Sequence, residues 1–402
     1  MPAVDTVITA RWVLPIEPSA ALLDWHSVVV HQGRILAVLP RDAAREQYRA
    51  ELTIERPDHL LLPGMVNAHV DLARVLLRDA HAITMGELHE ADSDPEFVRT
   101  AVELAIADAL HAGTTCLAAI SLAPDTVAAT AAAAHMRASV ALPVSADPSL
   151  WAGDAGTYVH KGLELRDEYR GDPRIATFFV VPDGAHVSEQ TLDRIRRNAD
   201  ELELPVSLNL EAPCCGADQL QEHGLLSPLL LARSPRALGT AALTTLGSQR
   251  ASVLWPTDQP AASLLSESVN LALGSAATGE YGQLDLLALL RRRLTHVADR
   301  ATLHASLQAL TLGGAQALGL AEQIGSLVPG KWADLCCVDL ARVNTRPLFD
   351  PLLQFVLHSS RDAITDVWVG GEALLANGQL TRLDSAAIGA RAQTQAAIFL
   401  DR

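Results

Sequence analysis

The stretch Leu61–Arg78 reads LLPGMVNAHVDLARVLLR and decides the expected fold. Its apolar run, the turn signal at Pro63 and Gly64, and the following apolar residues predict a buried strand, a turn, a short strand and a helix. His69 and Asp71 lie two residues apart on the second strand, so their side chains share one face. In a barrel of parallel strands, the carboxyl ends of the strands carry the chemistry. This pair is therefore the first candidate for a functional site.

Strand-like and helix-like segments alternate from residue 61 to about residue 319. The helix-like segments include FVRTAVELAIADALHA, which ends before Gly113, then TVAATAAAAHMRAS and SEQTLDRIRRNADELE. Each is followed by an apolar segment of strand length. Strands that alternate with helices form parallel sheets, and this length suits a (β/α)8 TIM-like barrel. The sequence between Pro205 and Leu284 is compressed, which predicts shortened helices on that side.

Both ends of the chain have the composition of β structure. VDTVITARWVLPI and SVVVHQGRILAVLP lie near the start, and ADLCCVDL and DAITDVWVGGEALLANGQLT lie near the end. Gly370–Gly371 and Asn377–Gly378 are typical of tight turns in hairpins. We predict a composite β-sandwich domain from residues 1–60 and 325–402, which flanks an α/β barrel domain over residues 61–324.

Composition excludes several classes of partner. The 31 lysines and arginines against 47 acidic residues give a net charge of −16, spread along the chain, which disfavours nucleic acid and anionic membranes. No run reaches the ~18 apolar residues of a membrane span, and the start lacks the pattern of a signal peptide. The five cysteines fit free thiols in a reducing compartment. We expect a cytoplasmic protein.

Four groups of motifs carry a resemblance that covers nearly the whole chain: DTVITARWVLPIEP, HLLLPGMVNAH, LHAGTTC, and IGSLVPGKWADLCCVDL with ITDVWVGGEALL. They are similar to motifs of the amidohydrolase superfamily, in the branch of the triazine hydrolases and the methylthioadenosine/S-adenosylhomocysteine deaminases. The resemblance implies hydrolysis of a ring C–N or C–Cl bond by metal-bound hydroxide. It also implies a homodimer, or a hetero-oligomer with a related subunit.

The resemblance places other residues where the superfamily has most of its metal ligands. The first HxH pair is His69 and Asp71, and the next two histidines correspond to Asn209 and, in the expected strand ALGTAALTT, Gly239. The aspartate of the last strand corresponds to Ala276. A catalytic zinc usually takes three protein ligands. The resemblance therefore implies that zinc or iron is not held tightly, with His69 and Asp71 as vestigial ligands.

The acid–base groups of the superfamily are replaced as well. Ala212 stands at the position of the proton-shuttle glutamate, and Glu211 lies one residue before it. On a regular strand that shift turns Glu211 to the opposite face. Asp183 replaces a substrate-facing histidine.

Three functions are compatible with this pattern. The leading hypothesis is a pseudoenzyme, a non-catalytic protein that binds a small heterocyclic ligand or a partner. The alternative is a hydrolase of a C–N bond in a purine- or triazine-like heterocycle, with a rebuilt site that uses a weakly held metal or none. Its acid–base candidates are Asp71, Asp183 and Glu211, beside His69. The third is a purely structural subunit of a hetero-oligomer. The expected pocket residues are His69, Asp71, Asp183, Asn209, Glu211, Gly239 and Ala276.

Overall fold

The computed structural model describes residues 1–18, 21–78, 84–212, 215–256, 258–259, 264, 269–275, 284–294 and 300–400. Sixteen strands in these residues form two sheets of eight strands each. In chain order the strands are β1 (Ala3–Val13), β2 (Leu23–His31), β3 (Arg34–Pro40), β4 (Arg49–Pro63), β5 (Met65–Asp71), β6 (Thr114–Ile120), β7 (Arg137–Pro143), β8 (Ile175–Val180), β9 (Val206–Asn209), β10 (Leu230–Arg233), β11 (Ser252–Leu254), β12 (Asn270–Ala272), β13 (Leu335–Asp339), β14 (Ile364–Val369), β15 (Glu372–Ala376) and β16 (Gln379–Leu380).

Helices connect the strands of one sheet and pack outside it. In chain order the α-helices are α1 (Arg41–Gln47), α2 (Leu72–Leu76), α3 (Met85–Ser93), α4 (Pro95–His111), α5 (Pro124–Ala133), α6 (Ala155–Tyr169), α7 (Glu189–Leu202), α8 (Ala217–Glu222), α9 (Thr240–Ser248), α10 (Leu286–Arg293), α11 (Arg300–Leu310), α12 (Leu312–Ala317), α13 (Pro351–His358) and α14 (Ser385–Leu400). None of the described helices is both long enough and apolar enough to cross a membrane.

The first sheet is a parallel barrel of the strands β5 to β12 in chain order. Each neighbouring pair is parallel. The two outer strands are joined by backbone hydrogen bonds from Ala68 N to Leu273 O and from Ser275 N to His69 O, both 2.8 Å long. The predicted (β/α)8 barrel is thereby confirmed. Helices α8 and α9 span only six and nine residues, against 17 in α4, as the compression after Pro205 predicts.

Local sequence signals set the bounds of the barrel elements. Helix α4 begins with Asp94, whose side chain accepts a hydrogen bond from Glu96 N, and with Pro95 in the first turn. It ends before Gly113, whose φ of 78° suits glycine and directs the chain into β6. A Cβ on Gly113 would also come within 2.8 Å of Cys336 Sγ, in the second sheet. This turn therefore fixes the approach of the two sheets.

The second sheet unites both ends of the chain in the order β16–β15–β14–β13–β4–β1–β2–β3. The pairing of β1 with β4 is parallel and the other pairings are antiparallel. Val28 and Ile35 from one end of the sheet share a buried apolar cluster with Trp368 from the other end. The sheet therefore folds over one core. The β domain from both termini is confirmed, and its boundaries at residues 60 and 325 stay a prediction.

A buried ion pair connects the barrel to this sheet. Arg137, the first residue of β7, donates to Asp334 from Nε at 2.7 Å and from Nη2 at 3.0 Å. Both side chains are at most 2% exposed. Gly370 N also donates to Asp334 Oδ1 at 2.8 Å. The Asp334 carboxylate therefore accepts hydrogen bonds from a guanidinium and from a backbone N–H, which offset the cost of burying its charge.

Helix α12 packs so closely on the barrel that glycine is required at Gly313. A Cβ there would lie 2.0 Å from Leu271 O, in β12. We expect Gly313→Ala to lower the free energy of unfolding by about 1–3 kcal/mol, because the backbone of β12 must shift. Urea denaturation measures the change. Gly389→Ala in α14, where a Cβ meets nothing within 4 Å, is the control and should stabilise the protein by about 0.5–1 kcal/mol. Equal effects of the two substitutions would contradict this account.

Candidate functional site

Polar side chains from several barrel strands meet at the carboxyl ends of those strands. His69 and Asp71 belong to β5, Asp183 follows β8, and Arg233 ends β10. These four side chains and Asp92 of α3 line a cavity of about 60 Å³. This volume is sufficient for water molecules and is far below the roughly 300–1,000 Å³ that small-molecule sites occupy. We call it the polar cavity.

His69 is a neutral imidazole in this cavity. It is only 4% exposed, and its Nδ1 is buried without a hydrogen-bond partner among the described residues. Burial, followed by the nearby charge of Arg233, lowers the pKa of His69 to about 3, against the opposing effect of Asp183. At neutral pH the ring therefore offers one N–H donor and one acceptor nitrogen.

Asp183 is a carboxylate held by two donors. Its Oδ1 accepts from Arg233 Nη1 at 2.9 Å and from Asn209 Nδ2 at 3.1 Å. Arg233 Nη2 also donates to Val181 O at 2.8 Å, which fixes the guanidinium across the barrel mouth. Burial works to raise the pKa of Asp183, but the charge of Arg233, the interaction with His69 and the hydrogen bonds together hold it below the ordinary value. Asp183 is therefore ionised at neutral pH.

Asp71 has a structural partner beside it. Its carboxylate accepts from Arg74 N at 3.3 Å and from Arg74 Nε at 3.0 Å, and it caps the start of α2. Burial raises the pKa of Asp71 in spite of these hydrogen bonds. Because Arg74 already occupies both oxygens, Asp71 is less available to a substrate than Asp183.

Asp92 is the second carboxyl group with an unusual environment. Its Oδ2 accepts from Leu122 N at 2.7 Å, while its buried Oδ1 has no hydrogen-bond partner among the described residues. Burial, and then the charge of Asp71, raise the pKa of Asp92 well above its ordinary value. A protonated carboxyl group at this place has a proton to donate into the polar cavity.

A larger cavity of about 450 Å³ adjoins the polar cavity. The two share the lining residues His89, Leu122 and Pro182. The larger volume falls within the range of about 300–1,000 Å³ that small-molecule sites occupy. We call it the substrate cavity, since a ring placed there would meet the groups of the polar cavity at its edge.

Two predicted pocket residues lie elsewhere. Glu211 follows the end of β9 in a turn, and its Oε1 lies 3.4 Å from Arg236 Nε rather than in the lining of the polar cavity. Gly239 precedes the first turn of α9, so the prediction that ALGTAALTT forms a barrel strand is wrong. The strand is β10, and Arg233 stands at its carboxyl end.

The other positions singled out from the sequence are Asn209, Ala212 and Ala276. Asn209 reaches the site through its hydrogen bond to Asp183. Ala212 packs against the main apolar core. Ala276 lies outside the described residues.

Sequence reasoning missed Arg233 and Asp92. Arg233 directly follows the apolar run Leu229–Ala232, and a charged residue at the end of such a run is a signal for a strand that ends at a site. Asp92 lies on α3, whose start is marked by a capping box between Thr84 and Glu87. That box predicts the helix, but nothing local predicts that Asp92 faces the barrel mouth.

The side chains at the mouth do not fit a tightly held metal ion. Among the described residues, no three histidine, cysteine, aspartate or glutamate side chains are grouped so that they can hold one. Nδ1 of His69 has no hydrogen-bond partner among the described residues and is available as a metal ligand, but the carboxylate of Asp183 is already paired with Arg233. A fixed guanidinium beside the carboxylate opposes a second cation.

Comparison with known proteins places the chain among hydrolases. The sequence profile described as "Amidohydrolase family" matches residues 159–374. A 5-methylthioadenosine/S-adenosylhomocysteine deaminase of Teredinibacter turnerae is 31% identical, over 97% of this chain and 96% of that protein. A deaminase of the same name from Saccharophagus degradans is 27% identical, over 96% and 95%.

Solved structures agree with this relationship. An adenosine deaminase from Xanthomonas campestris, crystallised with bound zinc, is 33% identical and superposes with a TM-score of 0.91 over 100% of this chain and 99% of that one. The zinc complex of atrazine chlorohydrolase from Arthrobacter aurescens is 18% identical, with a TM-score of 0.83 over 97% and 100%, and supports the fold alone.

These findings correct the leading hypothesis from the sequence. A non-catalytic pseudoenzyme is contradicted, because the relatives that match almost the full length of the chain are named as deaminases. They favour the alternative of a catalytic hydrolase. With relatives of 31% and 33% identity that cover at least 97% of the chain, and a profile that matches more than half of it, this protein belongs to the amidohydrolase family.

Proposed function

We propose that this protein is an aminohydrolase that cleaves a C–N bond of a purine- or triazine-like heterocycle, with an acid–base site rebuilt around Asp183 and Asp92. Purine-like substrates are favoured, because the relatives above 25% identity are named as deaminases of purine nucleosides. Cytoplasmic location and dimerisation stay predictions.

One observation supports this proposal above the others. Of the three carboxyl groups that line the polar cavity, Asp183 has a lowered pKa, whereas Asp92 and, beside Arg74, Asp71 have raised pKa values. Two groups of one type that are held in different protonation states can serve as base and acid of one reaction. Asp183 is suited to the base and Asp92 to the acid.

The proposed reaction consumes one water molecule, releases ammonia and needs no further reactant. A water molecule in the polar cavity attacks the ring carbon that bears the amino group, and its proton passes to Asp183. The C–N bond breaks as the leaving nitrogen receives a proton from Asp92, and ammonia departs. Proton return from Asp183 to Asp92 through water restores both groups.

Two other groups orient this reaction. Arg233 fixes Asp183 through Nη1 and supplies a permanent positive charge at the mouth, where a developing negative charge on the ring is stabilised. The neutral His69 has one donor and one acceptor nitrogen, which are suited to a ring nitrogen or to the attacking water. Both are catalytic residues in this proposal.

Chelation separates this proposal from the chemistry of a bound metal. Ammonia release from adenosine and 5′-methylthioadenosine should be measured before and after dialysis against a chelator, together with elemental analysis of the protein. We expect activity to survive chelation, since the proposed step uses only side chains. Loss of activity that zinc restores would contradict the rebuilt acid–base site, and absence of activity with every heterocycle tested would contradict the function.

The lowered pKa of Asp183 and the raised pKa of Asp92 predict how kcat depends on pH. Because the pKa of Asp183 is lowered, the base is present at neutral pH and is lost only as pH falls through a value below the ordinary carboxyl range. Because the pKa of Asp92 is raised, the acid is present until pH rises through that raised value. We expect a bell-shaped profile of kcat against pH. Asp92→Asn should remove its alkaline limb and retain the acid limb, and an unchanged profile would contradict the assignment.

A further inference from the structure

We infer that the substrate cavity selects heterocyclic substrates whose substituent carries no carboxylate, such as neutral nucleosides. This inference rests on the proposed function, because it assigns the part of the substrate that lies beyond the reacting ring. It deepens that function by separating two substrate classes that the relatives' names combine.

The lining of the substrate cavity is mainly apolar, with a few polar side chains and no lysine or arginine among the described residues. Ser145, Ser149 and Tyr158 contribute hydroxyl groups, and Glu90 and Asp147 contribute carboxylates. Hydroxyl and carboxylate oxygens accept hydrogen bonds from sugar hydroxyls or an ammonium group, whereas a substrate carboxylate would meet like charge.

The charge of Asp147 is secured by its neighbour. His186 approaches Asp147 Oδ2 through Nδ1 at 3.1 Å, and this hydrogen bond is the main cause that holds the pKa of Asp147 below its ordinary value. Tyr158 stays a neutral hydroxyl, because burial raises its pKa. At neutral pH the wall of the cavity therefore has hydroxyl groups and negative charge.

Two cations lie close to this wall but outside the lining of the substrate cavity. Lys161 Nζ donates to Trp151 O at 2.7 Å, and Arg233 lines the polar cavity, where it is paired with Asp183. The segments outside the described residues contain no lysine, and their single arginine is Arg402 at the end of the chain. The undescribed segments before residue 401 therefore contribute no lysine or arginine to this region.

Binding to the full chain tests the inference independently of turnover. Isothermal titration of the full-length Asp183→Asn variant, which should turn these compounds over too slowly to disturb the measurement, should compare 5′-methylthioadenosine, S-adenosylhomocysteine and the methyl ester of S-adenosylhomocysteine. We expect the free acid to bind about two- to fivefold more weakly than the ester, because Glu90 and Asp147 repel its carboxylate but are exposed to solvent, which weakens the repulsion. The ester and the acid have similar size. If both bind equally weakly relative to 5′-methylthioadenosine, size and not charge is the cause, and the inference is overturned. A binding preference without ammonia release from any compound by the unsubstituted protein would instead contradict the proposed function.

A charge-introducing variant gives a second, matched test. Leu150 lines the cavity and is 81% exposed, so its replacement should not disturb folding. We expect Leu150→Arg to tighten binding of the free acid about tenfold relative to the ester. Leu150→Gln is the neutral control and should leave the ratio unchanged. If both variants leave it unchanged, the substituent does not lie in this cavity and the inference fails.

Discussion

Replacement of Asp183 by asparagine should lower kcat for ammonia release by about 10²–10⁴-fold, the usual contribution of a positioned acid–base group. The amide oxygen of the introduced side chain can still accept the hydrogen bond from Arg233 Nη1, so the geometry of the mouth is retained while the base is lost. Steady-state kinetics on 5′-methylthioadenosine measure the effect, and we expect KM to change much less than kcat.

The control for this substitution is Asp200→Asn. Asp200 is a half-exposed carboxylate on α7 that pairs with Arg196 at 2.9 Å, remote from the lining of either cavity. Its neutralisation should leave kcat unchanged. If Asp183→Asn has as little effect as this control, Asp183 is not the base.

Replacement of Arg137 by methionine should lower the free energy of unfolding by about 3–5 kcal/mol, because Asp334 is then left buried without its counter-charge. Arg137 also donates to Pro173 O, which ties β7 to the loop before β8. Denaturant unfolding followed by circular dichroism measures the change. The double variant Arg137→Met with Asp334→Asn should recover part of the loss, since it removes the isolated charge as well.

An exposed ion pair is the matched control for this effect. Arg196→Met on α7 breaks a pair between residues four apart on one helix, for which a change of about 0.3–0.5 kcal/mol is typical. A similarly small effect of Arg137→Met would mean that the connection between barrel and terminal sheet contributes little to stability.

The sequence predicts the barrel well, because its helices are long and carry clear end signals. Helix α7 begins at Ser188, whose hydroxyl accepts from Thr191 N, and ends before Glu203 in the left-handed conformation. Each such helix leads into an apolar strand, and this alternation determines the fold class. Both signals are local, so they can be found without knowledge of tertiary contacts.

Short segments are predicted less well, because periodicity separates strand from helix only over longer windows. Thr240–Ser248 contains three β-branched threonines, which favour a strand. It forms α9 because Leu243 and Leu246, three residues apart, are buried on one helical face. The four-residue strand β10 is missed for the same reason, and with it Arg233.

The site itself depends on contacts that no local pattern reveals. Asp92 is oriented by Leu122 N, 30 residues later in the chain. Glu211 cannot be assigned by strand alternation, because β9 ends at Asn209 and the backbone turns there. His69 and Asp183 can be found because His69 lies in, and Asp183 follows, a strand-forming segment that the resemblance identifies.

The pairing of β4 with β13 has a consequence for the order of synthesis. Leu61 and Leu62 of β4 pair with Cys337 and Cys336, which are synthesised only after the whole barrel. Until then, one edge of β4 is an unpaired, apolar template for other nascent chains. Since β5 continues from β4 through Gly64 alone, the strand that carries His69 gains its final support when the C-terminal part of the chain arrives. The support that β4 gives to the candidate site is therefore complete only once β13 has been synthesised and has paired with β4.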